Sequence, residues 1–203
     1  MTLPEPVVAA VESGDVETVT RFVEEGGNIN DLYAVTYWDY DHGPEERFGK
    51  IFEKAKSIPM IKALAGFKAE QSQDLISKVY NDHGLPLVLY LLDCGYTPNY
   101  EHDNSSILTD ACYKKDLPAV KELIARGANV KFACRYTGHN LLHSSYNCVD
   151  PSNKSHLEII KIVIKHGADQ KGIESHYGGR LPQDFTTKQN YLLIKQKLHP
   201  LIK

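Results

Sequence analysis

The sequence predicts an all-α fold, a helix-turn-helix repeat solenoid with extended linkers between its units, running through residues 1–203 as a single array. Three observations predict it. Four segments align on their glycines: DVETVTRFVEEGGNIN (15–30), GLPLVLYLLDCGYTPN (84–99), DLPAVKELIARGANVK (116–131) and HLEIIKIVIKHGADQK (156–171). A shorter helical stretch lies upstream of each, and the glycines recur at related spacings. One such helix pair cannot bury its apolar face alone, so neighbouring units must stack.

The first unit, about 4–31, pairs PVVAAVESG (6–14) with the helix closed by Gly26. Nothing in front of it reads as a loop of the repeat, which suits an N-terminal cap. A long linker follows, and then KIFEKAKSIPMIKALAGFK (50–68), two short apolar helical pieces broken around Pro59 and closed by Gly66. These form a degraded second unit, about 48–68, because Gly26 to Gly95 is 69 residues, roughly twice a period of about 33. The third unit, about 74–99, pairs DLISKVYNDH (74–83) with the helix closed by Gly95.

The fourth unit, about 104–131, pairs SILTDACYKK (106–115) with a helix whose Leu117, Val120, Leu123 and Ile124 share one face while Lys121, Glu122 and Arg126 take the other. Gly127 stands just past its last apolar turn, where a left-handed residue ends a helix without a Cβ clash. The fifth unit, about 138–171, opens on NLLHSSYN (140–147). Its extra length falls mostly at CVDPSN (148–153), whose Asp-Pro-Ser-Asn is turn chemistry. Ser106 and Asn140 are good N-cap types, and Ala10, Ala111, Ser144 and Ser145 are small enough for close helix approach. Residues 178–203, rich in lysine, read as a polar C-terminal cap.

The pattern resembles the ankyrin repeat, whose helix pair begins G-x-T-P-L-H and ends in a G-A-D/N-V-N tail. GHNLLH (138–143) followed by HGADQK, and NSSILTDACYKK followed by RGANVK, carry the resemblance best, and VVAAVESGDVETVTRFVEEGGNIN fits the helical part. The resemblance implies hairpin or finger loops at 27–49, 67–73, 96–105, 128–139 and 168–180, which with the first helices line a concave, partner-binding face. It also implies a structural role for His143, at the position where the family's histidine bonds backbone groups and steadies the turn.

Charge is polarised along the chain although the formal net charge is only −3. Residues 1–50 carry eleven acidic residues against Arg21, Arg47 and Lys50, a net of −8, while residues from 154 onward carry a net of +5. Such polarity concerns partners and encounter rates rather than fold; its plainer reading is a set of solvated helix faces. The N-terminus has no basic region ahead of its brief apolar run, and no stretch approaches a membrane span. The four cysteines, Cys94, Cys112, Cys134 and Cys148, form no CxxC pair. Reduced thiols in a cytoplasm are therefore expected.

Candidate chemistry is thin. Cys134, His139, His143 and Cys148 carry zinc-ligand types, but their spacing matches no standard finger. Cys112 sits where a unit places a small core residue, and Cys148, with His156 nearby, has no partner in sequence that would activate it. No phosphate-binding glycine loop and no H-E-x-x-H element occurs. The aromatics cluster at the acidic end, opposite to what nucleic-acid binding would want. No catalytic residue, cofactor or metal is expected.

The candidate site is therefore a protein-binding surface on the fingers, through Tyr33, Tyr37, Trp38, Asp39, Tyr40 and Asp41, then Tyr100 and His102, Arg135 and Tyr136, and His176 and Tyr177. Tyr, Trp and Arg dominate interface energetics. The competing reading packs about half of the finger rings onto neighbouring units, Phe132 first. The expected partner is a protein with a basic surface, bound by a monomer, as an inhibitor or immunity-type protein would bind; neither nucleic acid nor membrane is expected. Two rivals stand beside this reading: a small enzyme or metal protein using the Cys and His residues around 134–156, and a module that assembles with copies of itself.

Overall fold

The computed structural model describes residues 1–39, 43–72, 74–99, 106–134, 140–146, 150, 152–169 and 196, with the side chains of 35–39 and 43–47 outside that description. The chain divides into two compact units, 1–96 and 97–203.

In the first unit, α1 (Glu5–Ser13) and α2 (Val16–Glu24) form a helix pair. Gly14, at φ 84°, separates them, and Asp15 caps α2 by accepting from the Thr18 N–H. Strands β1 (Tyr33–Asp39) and β2 (Gly43–Gly49) then make an antiparallel hairpin. A single 3₁₀ turn (Ile51–Lys54) packs on α1, and α3 (Ile58–Gly66) packs on α2. The last pair is α4 (Leu75–His83) with α5 (Leu85–Asp93). Its core gathers Val11, Val19, Phe52, Met60, Leu64, Val88 and Leu91, all at 1% exposure or less.

The second unit repeats the plan with α6 (Ile107–Tyr113) and α7 (Leu117–Ala125), then α8 (Leu141–Tyr146) and α9 (Lys154–Lys165). First helices pack on first helices (α6 on α8) and second on second (α7 on α9), which is how a repeat buries what one pair leaves open. Ser106 caps α6 by accepting from Thr109 N–H, and Asn140 Oδ1 accepts from Leu142 N–H at the start of α8. The buried stripe of α7 centres on Ala119, Val120 and Leu123; Leu117 and Ile124, expected on the same face, are half-buried at its margins.

All five second helices among the described residues end alike. The residue two past the helix is left-handed and its successor's N–H reaches back to close the turn, as in Ala128 N to Leu123 O at 2.9 Å. Gly26, Gly95, Gly127 and Gly167 fill that place, and in the degraded unit it is Lys68, at φ 58°, that fills it. Gly66 is the last residue of α3 instead, so the unit does not close on it as the sequence suggested. The break between the two helical pieces also falls earlier, at 55–57. Ser57 caps α3, and Pro59 sits in its first turn, where its missing N–H costs nothing.

A candidate protein-binding finger

The linker that follows the first helix pair becomes the β1–β2 hairpin because its residues alternate and its ends are pinned. The register pairs Tyr33 with Gly49, Val35 with Arg47, Tyr37 with Glu45, Trp38 with Pro44 and Asp39 with Gly43. At its base Tyr33 is 5% exposed and donates its hydroxyl to Glu53 Oε2 at 2.8 Å. Lys54 Nζ lies 5.1 Å from the centre of the Tyr33 ring and 2.7 Å from Glu12 Oε1. Burial, then the Glu53 carboxylate, push the Tyr33 pKa well up, so the phenol stays a donor. Gly49 has to be glycine, since a Cβ there would stand 2.6 Å from the Tyr33 ring.

The neighbouring linker holds the hairpin from another side. Asn30 Oδ1 accepts from Glu70 N at 2.7 Å, and Lys50 Nζ donates to Gln71 O at 3.1 Å and lies 3.1 Å from Glu70 Oε2. Ahead of β1, Leu3 N donates to Leu32 O at 2.8 Å in a parallel bridge between Thr2 and Leu32. The two pleat faces of the hairpin differ. Tyr33 is packed, whereas Ala34 and its cross-strand partner Phe48 are exposed, Phe48 by 53%. By strand alternation, Thr36 and Trp38 occupy positions on the Phe48 face, and Tyr37 occupies one on the Tyr33 face.

Tyr33 is therefore a packing residue and not the surface anchor the sequence reading made of it. Its ring found a pocket because Gly49 leaves room opposite. Tyr37, Trp38 and Asp39 lie on β1, and their side chains lie outside the described residues, as do Tyr40, Asp41, Tyr100, His102, Arg135, Tyr136, His176 and Tyr177 altogether. Phe132 is buried, as expected of the first ring to pack. Tyr96 also packs: its ring meets Phe52 edge-on at 5.5 Å, and its hydroxyl donates to Ala69 O at 2.6 Å. Burial pushes its pKa up to about 12. The sequence reading missed Phe48, which strand alternation with Arg47 and Gly49 would have placed opposite Ala34.

Three residues of the rival chemical readings have structural duties: His143, Cys112 and His156. His143 is buried and its Nδ1 accepts from Asn140 N–H at 3.0 Å, steadying the start of α8. Cys112 is fully buried, and burial pushes its thiol up to about 11, far from a thiolate at neutral pH. His156 Nδ1 accepts from Asp150 N–H at 3.1 Å, within a turn closed by Asp150 Oδ1 on Ser152. His139 and Cys148 lie outside the described residues. Among the described residues no three His, Cys, Asp or Glu side chains converge as a metal site.

No family model and no curated protein matches the chain. Among solved structures, the crystal structure of an ankyrin repeat domain from Acinetobacter baumannii AYE superposes with a TM-score of 0.63 over 97% of each chain, at 16% identity. This chain has the ankyrin-repeat fold. The ankyrin-repeat fold is a common protein–protein interaction module, and in its terms the β1–β2 hairpin occupies the place of the first finger. An antiparallel bridge joins Ala133 to Asn140. No helix among the described residues is long and apolar enough to cross a membrane.

Proposed function

We propose that this ankyrin-repeat chain is a non-enzymatic binding module that engages a partner protein with a basic surface, its first finger making the principal contact. The observation that carries the reading is the finger itself: two seven-residue strands seated at Tyr33, with Phe48 exposed, in a stretch of sequence that also holds Asp39, Asp41, Glu45 and Glu46. An exposed ring beside concentrated acid suits a basic partner, through steered encounter and burial of aromatic anchors. The other finger residues, Tyr100, His102, Arg135, Tyr136, His176 and Tyr177, extend the contact in this reading.

In its sharper form the chain is an inhibitor or immunity-type protein that masks a basic site on its target. It works as a monomer in the cytoplasm, a compartment consistent with Cys94 and Cys112 being free thiols. Affinity purification on the full chain, followed by mass spectrometry, should return a partner with a basic face. Replacing Asp39, Asp41, Glu45 and Glu46 by lysine should abolish its capture while leaving the circular dichroism spectrum unchanged. Capture that survives this reversal, or partners that are all acidic, would refute the proposal.

A further inference from the structure

Strand β1 has a used beginning and an open continuation. Leu32 turns its carbonyl away from β2 and accepts Leu3 N–H, so the chain's own N-terminal segment pairs with this edge in parallel at Thr2 and Leu32. The segment then leaves the edge, because Pro4 and Glu5 start α1. Backbone groups alternate sides along a strand, so those of Ala34, Thr36 and Trp38 point the same way as those of Leu32. Among the described residues nothing pairs with them. An edge of this kind is a template for another strand.

The surroundings select what that strand carries. The base of the edge is apolar, with Leu32 and Phe48 both exposed, and farther along the two strands carry Asp39, Glu45 and Glu46 against Arg47. We infer that the first finger binds its partner by strand addition: an extended segment bearing lysine or arginine alternating with β-branched or aromatic residues pairs with β1 at Ala34, Thr36 and Trp38. This rests on the protein-binding reading above and specifies its mode. Main-chain hydrogen bonds along the edge give affinity, and the alternating side chains give selectivity.

The edge predicts which backbone substitution hurts. Thr36 N–H points outward, so Thr36→Pro removes a donor from the open edge without taking one from the β1–β2 ladder, whereas Thr36→Val keeps the donor. The experiment displays random seven-residue peptides to the full-length chain and measures the selected peptides by fluorescence anisotropy. Selected sequences should alternate basic with β-branched or aromatic residues. Thr36→Pro should weaken them by about tenfold or more and Thr36→Val by less than about twofold. N-methylation of alternate peptide amides should abolish binding in one phase and spare it in the other.

Absence of any selected peptide, peptides without period-two alternation, or equal binding by Thr36→Pro would overturn strand addition. So would a concentration-dependent dimer that Thr36→Pro disperses, since a second copy would then hold the edge. Binding abolished by the charge reversal but indifferent to Thr36→Pro would leave the basic-partner reading standing and remove this mode of engagement. Loss of binding in neither variant would remove both.

Discussion

Single residues decide how the finger is seated. At Gly49 the missing Cβ is what lets the Tyr33 ring lie over the hairpin base, within 2.6 Å of where that carbon would be. Gly49→Ala must displace the ring and its bond to Glu53, and we expect a loss of about 1–3 kcal/mol in urea denaturation. Among the described residues two lysines hold left-handed backbone, Lys68 at φ 58° and Lys115 at φ 60°, and they should answer differently to glycine. Lys68 offers only a long 3.4 Å hydrogen bond to Cys94 O, so Lys68→Gly should relieve strain and raise stability by about 0.5–1 kcal/mol. Lys115 instead donates to Ser144 O at 3.1 Å and Ser145 O at 2.7 Å, capping carbonyls at the end of α8. There the two lost bonds outweigh the relieved strain, and Lys115→Gly should lower the unfolding midpoint in the same assay.

Between elements, side-chain bridges tie some linkers to the next. Asn30, four residues past Gly26, donates to Lys68 O; Asn99, four past Gly95, donates to Gly127 O at 2.9 Å and accepts from Asn129 N at 2.7 Å. Asn99→Ala should therefore cost about 1–2 kcal/mol, two neutral hydrogen bonds' worth, in thermal or urea unfolding. In the degraded unit the equivalent place, four past Lys68, holds Ser72, which is buried with its hydroxyl unpartnered among the described residues. Ser72→Ala removes that orphan and should be neutral to stabilising, by up to about 1 kcal/mol. These positions also mark what the sequence could say. Helix faces and the closing glycines were readable because period and αL geometry are local. Lys68 in a glycine's place was not, since nothing local distinguishes a lysine forced left-handed by its neighbours. Tyr33 was likewise misread: its burial depends on Gly49 and Glu53, sixteen and twenty residues away, which no periodicity connects. The hairpin register, and with it the separate fates of Tyr33 and Phe48, needed the fold.

At the scale of the whole molecule, the proposed reading assigns the charge of the chain to the encounter rather than to the fold. Residues 1–50 hold eleven acidic and three basic groups, Asp39, Asp41, Glu45 and Glu46 among them. Near the seat of the finger some acids are paired, as in Glu12 with Lys54 and Glu70 with Lys50. Attraction of a basic partner by such a field acts over a Debye length, about 30 Å at 0.01 M salt and about 8 Å at 0.15 M. The association rate should therefore fall at least about tenfold between those conditions, while the dissociation rate, set by buried rings and main-chain bonds, changes little. Surface plasmon resonance with the captured partner measures both. Reversing the charges of Asp39, Asp41, Glu45 and Glu46 should flatten the salt dependence of association, and Thr36→Pro should leave that slope intact while accelerating dissociation. A wild-type association rate indifferent to salt would mean that the acidic half of the chain is a solvated surface and takes no part in recognition.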